Sequence, residues 1–128
     1  MEVLEKLIVL AKHKQQIDLK RGEAKFMNPN WLLDSIRDEV EEVREEIKAD
    51  NLPHLEDELS DILWGWMVLV EKLKDDNYVG SHEAIMKRAL KKYEERILPL
   101  KGTSEDHEIW REVKNRQKEA LKKEKEKC

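Results

Sequence analysis

The strongest constraint on the fold is an unbroken apolar run from Ile62 to Val70, which charged residues flank on both sides. In a helix, this run would be apolar on every side and not along one stripe, so it has to be covered all round. It is only about half as long as the roughly 20 residues of a membrane-spanning helix, so we place it in a protein core. Either the other helices of the chain surround it or helices of a second copy complete its cover, and we favour the second arrangement.

The remainder of the chain favours an all-α domain. Its 128 residues include only 4 Gly and 3 Pro, and charged residues make up 42%. So few helix breakers leave room for long helices, and alternating β-branched runs that would indicate strands are absent. We therefore predict one domain, residues 1–128, with about five helices in a bundle that is completed by oligomerisation.

The helices follow from apolar spacing and from the positions of breakers. We predict helices at about residues 2–19, 31–49, 54–74 and 82–97, and a fifth that starts at Thr103 or Ser104 and runs into Lys-Glu repeats. Residues 20–30, with Gly22 and Pro29, are predicted to form a loop. The second helix has the clearest stripe, with apolar residues stepping by three or four at Leu32, Ile36, Val40, Val43 and Ile47.

The net charge and the single cysteine limit which partners and which cellular location are expected. The net charge of -4, without a basic stripe interleaved with aromatic residues, argues against a nucleic-acid binder. An acidic protein can still bind a phosphate ligand when a cation mediates the contact. The only cysteine, Cys128, makes neither an internal disulfide nor a zinc site, and Glu2 and Glu5 interrupt any signal peptide. We expect a cytoplasmic protein that neither enters a membrane nor binds nucleic acid.

Two pairs of carboxylates have the spacing of a metal site. Glu39 and Glu42 are three residues apart on one helix face, beside the apolar stripe, and Glu58 and Asp61 repeat this spacing on the next helix. Two antiparallel helices joined by a short turn would bring both pairs together. Four carboxylates in one place repel each other unless a cation neutralises them, and an all-oxygen shell suits magnesium.

A solvated acidic surface is the competing interpretation. Among 29 acidic residues, chance alone gives roughly six or seven acidic pairs at this spacing. Glu41 and Glu45 point away from the apolar stripe and fit that description. From the residues alone, a metal site and a charged face explain the pattern equally well.

The segments Asp38–Val43 and Glu58–Trp64 resemble the E-E-x-x-E … E-x-x-D signature of MazG-like nucleoside triphosphate pyrophosphohydrolases. Trp110–Lys114 is similar to the late tryptophan helix of that family. The resemblance implies an all-α fold, an obligate homodimer or a tetramer made of two dimers, and dependence on Mg²⁺, for which Mn²⁺ is a possible substitute. It implies cleavage of a nucleoside triphosphate to the monophosphate and pyrophosphate, in nucleotide-pool housekeeping. It also assigns the metal ligands to Glu39, Glu42, Glu58 and Asp61.

Several other residues are candidates for catalysis and substrate binding. Glu39 or Glu42 is our candidate to accept a proton from the attacking water. By resemblance, Arg88 and Lys92 fall where the family places phosphate-binding cations, Trp110 lies near the base and Lys114 near the phosphates. An exposed basic face explains the first two equally well, and core packing explains Trp110 at least as well.

The chain departs from the family pattern at Asp38, where a shorter carboxylate replaces the first glutamate, and at Lys91–Ile97, which corresponds to R-R-H-P-H-V-F. These changes affect the nucleotide preference more than the chemistry. A phosphoribosyl-ATP pyrophosphohydrolase or a deoxynucleotide-specific enzyme is the alternative within the same chemistry. A non-enzymatic helical interaction module with a vestigial acidic groove is the alternative from another class.

Overall fold

A computed structural model describes residues 2–128 and confirms the all-α prediction. Five α-helices and one short 3-10 helix (Ala24–Met27) occupy this range, which contains no β-strand. The α-helices are α1 (Glu2–Arg21), α2 (Pro29–Glu45), α3 (Leu52–Asp75), α4 (His82–Ile97) and α5 (Asp106–Glu126). Within the same range, no helix has both the length and the apolar character that a membrane crossing requires.

The helices group into two compact units, the first ending at His82 and the second running from Glu83 to Cys128. In the first unit, α1 and α2 both pack against α3, and the 3-10 helix contacts α1 and α2. The second unit contains most of α4 and all of α5.

Helix α3 provides the core of the first unit. Its residues Met67 to Val70 are buried, and Val68 and Leu69 form an apolar cluster with Leu32 of α2. The second half of the apolar run is therefore buried within this chain. Leu63, in the first half, remains 43% exposed, so the run is not covered along its whole length.

Helix α1 packs through a more polar face than its sequence suggested. The spacing of Leu4, Leu7, Ile8 and Ala11 predicts an apolar stripe on this helix, but of these four only Ala11 is buried. The other buried residues of the helix are Gln15 and Asp18. The Lys14 ammonium lies 2.6 and 2.7 Å from the two carboxylate oxygens of Asp18. A buried charge is costly unless it is paired, so this contact is what allows Asp18 to lie at the helix interface.

Local capping moves both ends of α2 away from the predicted bounds. The helix begins at Pro29, two residues early, because Asn28 caps it by accepting a hydrogen bond from the Asn30 backbone N–H at 2.9 Å. Proline suits the first helical position, where its missing N–H is not needed. The helix ends at Glu45 and not at Ala49.

A short turn then reverses the chain into α3. The Asn51 side chain donates hydrogen bonds to the backbone oxygen of Glu46 at 2.8 Å and to its carboxylate at 2.6 Å. Asp50 has a φ of +54°, a left-handed conformation that asparagine and aspartate tolerate better than most residues. The turn therefore has a defined conformation that fixes how α3 begins.

In the second unit, polar side chains connect α4 and α5. Arg96 donates from Nε to the Gln117 side-chain oxygen at 2.7 Å, and the Gln117 amide donates to the Lys92 backbone oxygen at 3.0 Å. Val113 is the buried apolar residue of α5. The Lys-Glu stretch continues the helix as far as Glu126, with its side chains in solvent.

We predict that Gly65→Ala destabilises the first unit. A Cβ at position 65 would lie 2.9 Å from Cγ1 of Ile36, and this β-branched side chain has little rotamer freedom in a helix. Overpacking of this kind costs about 1–3 kcal/mol, against about 1 kcal/mol gained from alanine's higher helix propensity, so we expect a net loss of about 1 kcal/mol. Urea denaturation measures the change.

The matched control places the same substitution in an Ile36→Ala background. With the contacting side chain removed, Gly65→Ala should become neutral or stabilising, since only the helix-propensity gain is left. Equal effects in both backgrounds would contradict this account of the contact.

Candidate metal centre

Helices α2 and α3 pack side by side in an antiparallel register that brings the two carboxylate pairs together. The close approach of Gly65 to Ile36 fixes one point of this register. Along the same seam, the pair Glu39 and Glu42 of α2 meets the pair Glu58 and Asp61 of α3. The short turn at residues 46–51 therefore brings the two carboxylate pairs together, as the sequence predicted.

One carboxylate oxygen from each of Glu39, Glu42, Glu58 and Asp61 lies within 4.8 Å of the others. Glu42 is exposed, and the other three side chains are partly buried. The cluster is thus open to solvent on one side. This arrangement suits a cation that also binds water or phosphate oxygens.

Crowding of the carboxylates raises the pKa values of two members. The pKa of Glu39 rises to about 7, first because its carboxyl group shares a hydrogen bond with Glu42, and then because of burial and repulsion from the other carboxylates. Loss of solvation is the main cause that raises the pKa of Glu58, followed by a hydrogen bond with Glu42. Without a cation, Glu39 and Glu58 therefore remain protonated at higher pH than ordinary glutamates do.

Two oxygens of the cluster have no hydrogen-bond partner among residues 2–128. Oε2 of Glu39 and Oε2 of Glu58 are buried and accept no hydrogen bond from the described residues. Buried carboxylate oxygens are normally satisfied by donors or by a metal. The donor set is entirely oxygen and carries up to four negative charges, so it fits a hard divalent cation such as Mg²⁺.

The neighbouring acidic residues take no part in the cluster. Asp38 is exposed, and Glu41 pairs with Arg44 at 3.1 Å on the outer surface of α2. Glu46 lies beyond the end of α2 and accepts the hydrogen bond from Asn51.

The candidate phosphate-binding cations of the second unit already have partners within it. Arg88 forms an ion pair with Glu124 at 2.7 Å, which raises the pKa of Arg88 and lowers the pKa of Glu124. The Lys92 ammonium lies 5.5 Å from the centre of the Tyr93 ring. Both contacts occur on the surface, where such interactions contribute little to stability.

Trp110 lies against a cation and borders a cavity. The Arg96 guanidinium lies 5.3 Å from the Trp110 ring centre and 5.7 Å from that of Tyr93, and Arg96 is only 9% exposed. Trp110 also lines a cavity of about 350 Å³ together with Leu100, Asp106 and His107. Lys114, one turn along α5, is exposed.

The structure also shows an aromatic pair at the start of α2 that the sequence did not assign to a site. The rings of Phe26 and Trp31 meet edge to face with centres 5.2 Å apart. The Lys25 ammonium lies 5.0 Å from the Phe26 centre and 6.0 Å from the Trp31 centre. The signal was present as two aromatic residues and a lysine within seven positions, but the 3-10 helix that gathers them has no clear sequence pattern.

The chain belongs to the MazG nucleotide pyrophosphohydrolase domain family, whose model matches residues 27–98, more than half of the sequence. The match includes all four clustered carboxylates and continues through α4. No curated protein and no solved structure matches the chain. The family resemblance drawn from the carboxylate signature is therefore confirmed, and the class of protein is a MazG-type nucleotide pyrophosphohydrolase domain.

We predict that the metal-free protein loses stability as the pH rises from about 5 to about 8. A carboxyl group whose pKa is higher in the folded than in the unfolded protein stabilises the fold while protonated, and this contribution disappears as the pH passes the folded value, here about 7 for Glu39. Urea denaturation in EDTA at several pH values measures the trend. Mg²⁺ should stabilise the protein more strongly as the pH rises, since it favours the ionised carboxylates.

Glu39→Gln is the control, because it removes the main titrating group and should flatten the pH dependence. A metal-free stability that is independent of pH in the wild type would contradict the proposed crowding of the carboxylates.

Proposed function

We propose that this protein is a Mg²⁺-dependent pyrophosphohydrolase that cleaves ribo- or deoxyribonucleoside triphosphates to the monophosphate and pyrophosphate. The observation that carries this proposal is the meeting of Glu39, Glu42, Glu58 and Asp61 within 4.8 Å, inside the region matched by the family model. We propose these four residues as the metal ligands and nucleotide-pool housekeeping as the task.

The side chains of this site would act in different ways. A bound divalent cation supplies charge neutralisation at the phosphates and acidifies a coordinated water. Glu58 and Asp61 of α3, together with Glu39 and Glu42 of α2, would hold this cation. Glu39 or Glu42 accepts the proton of the water that attacks the α-phosphorus. Partial burial of the cluster strengthens these interactions relative to bulk water.

We propose that Arg88, Lys92, Trp110 and Lys114 bind the substrate. Leaving pyrophosphate carries more charge than a single cation neutralises, so additional cations are needed. We place Arg88 and Lys92 at the phosphates. For this role, the Arg88 side chain must leave its ion pair with Glu124 and bind a phosphate oxygen instead. The family match supports this assignment in part, since it extends through α4 to residue 98.

We propose that the protein works as a homodimer or as a tetramer of two dimers, with residues 1–128 acting as one domain in the cytoplasm. Supporting the oligomer, apolar side chains of α2, α3 and the turn between them lie in solvent: Leu33, Val40, Ile47, Leu52, Leu59 and Leu63. Apolar surface on this scale is a feature of protein interfaces. The family match crosses the boundary between the two units, which supports a single functional domain.

Release of pyrophosphate from a panel of nucleoside triphosphates tests the activity. We expect Mg²⁺-dependent formation of pyrophosphate and monophosphate, with Glu42→Gln lowering kcat at least 100-fold, as expected when a metal ligand or base is lost. The control is Glu45→Gln, an exposed neighbour on α2 outside the cluster. No turnover of any triphosphate, or equal activity of both variants, would overturn the proposal.

Stabilisation by metal separates the enzyme from a non-enzymatic interaction module. A preorganised site gains stability from a bound cation by mass action, about 2.7 kcal/mol when the metal concentration is 100 times its Kd. We expect millimolar Mg²⁺ to raise the Tm of the wild type but not that of Glu58→Gln. A vestigial acidic groove would give the same small shift in both proteins.

The proposed role of Arg88 in phosphate binding is tested by comparing variants of Arg88 and of its ion-pair partner Glu124. If Arg88 binds phosphate, Arg88→Met should raise KM about tenfold, which is the loss of one charged contact. Glu124→Gln, which frees Arg88, should leave KM unchanged or lower it. Similar small stability losses in both variants with unchanged KM would show that the pair has only a structural role.

A further inference from the structure

Helix α2 carries an aromatic side chain and the carboxylate cluster along one stripe. Trp31, Ser35, Glu39 and Glu42 step by four, four and three residues, which keeps all of them on the same side of the helix. Eight residues separate Trp31 from Glu39, a rise of about 12 Å along the axis. This separation is comparable with the distance between the base and the phosphates of an extended nucleotide.

Trp31 combines a fixed position with an accessible surface. Its ring packs edge to face on Phe26, yet 37% of the residue stays in solvent. The contact with Phe26 holds the indole in place and leaves part of it accessible to a ligand. The exposed part of the indole is a surface on which a nucleobase can stack.

Lys25 places an unused cation beside this surface. Its ammonium lies near the Phe26 and Trp31 rings and makes no ion pair with a carboxylate among residues 2–128. Lys14, also near Phe26 at 4.9 Å, is by contrast held by both oxygens of buried Asp18. Lys25 is therefore the lysine of this group whose N–H donors remain available to a ligand.

We infer that Trp31 stacks the nucleobase of the substrate and that Lys25 reads its edge, favouring 6-oxopurines such as guanine and hypoxanthine. An ammonium group donates hydrogen bonds and accepts none. The N7 and O6 atoms of a 6-oxopurine both accept, whereas adenine places an amino donor where O6 would be. This inference rests on the proposed function for the position of the phosphates, and it deepens that function by naming the class of base.

Steady-state kinetics with GTP, ITP and ATP test the inference. Trp31→Ala should raise KM for all three about tenfold while kcat changes little, and Trp31→Phe should recover most of the loss, since stacking contributes about 1–3 kcal/mol per base. Lys25→Met should lower kcat/KM about tenfold for GTP and ITP but much less for ATP. Lys20→Met, at an exposed lysine just before the end of α1, is the matched control.

Circular dichroism of each variant separates binding from folding, because a merely structural Trp31 would lower Tm without changing KM in the folded protein. Unchanged KM values in Trp31→Ala, or equal losses for GTP and ATP in Lys25→Met, would overturn the inference.

Calorimetric titration with GMP separates failure of this site from failure of the proposed hydrolysis. GMP requires no turnover, so its Kd for wild type and Trp31→Ala reports the base site alone. Weaker GMP binding by Trp31→Ala without turnover of any triphosphate would reject the hydrolysis and retain the base site. Turnover of triphosphates with equal GMP affinity in both proteins would reject the base site and retain the hydrolysis.

Discussion

The close contact between α2 and α3 is the constraint on which the rest of the first unit depends. The helices approach so closely at Gly65 that a Cβ there would lie 2.9 Å from Cγ1 of Ile36, and this contact fixes the spacing of the two helices. Along the same seam, the two carboxylates of α2 meet the two carboxylates of α3. The same packing forms the apolar cluster of Leu32, Val68 and Leu69, so core and candidate site share one interface.

Packing energy supports an electrostatic arrangement that is unfavourable by itself. Four carboxylates within 4.8 Å repel each other, and the pKa of Glu39 rises to about 7 because of its hydrogen bond with Glu42, its burial and this repulsion. An isolated helix pair would separate or turn these side chains outward. The buried apolar residues of α3 hold the helices together, so the carboxylates stay close to each other despite their repulsion. A bound cation would relieve this repulsion.

Much of this arrangement could be predicted from the sequence, because it follows from periodicity. The helix bounds of α4 and the meeting of two carboxylate pairs across a short turn follow from spacing and from breakers, whereas the family resemblance was needed to choose a metal site over a charged face. The ends of α2 were less predictable, since Asn28 and Asn51 act through side-chain hydrogen bonds. Burial of Asp18 was missed because a charged residue at a helix interface depends on its partner, here Lys14, and not on its own hydropathy. An apolar stripe by itself does not say which of its residues are covered: Val40 and Ile47 belong to the stripe of the second predicted helix, yet they are 40% and 68% exposed.

The tight turn between α2 and α3 has a further consequence for how the chain folds. Because the turn has only six residues, all four carboxylates belong to one helical hairpin and lie between positions 39 and 61 of the chain. Contacts at such short separation cost little loop-closure entropy and form early in folding. The candidate metal centre is therefore encoded in a local segment, and a cation present during synthesis would meet its four ligands as soon as this hairpin has formed.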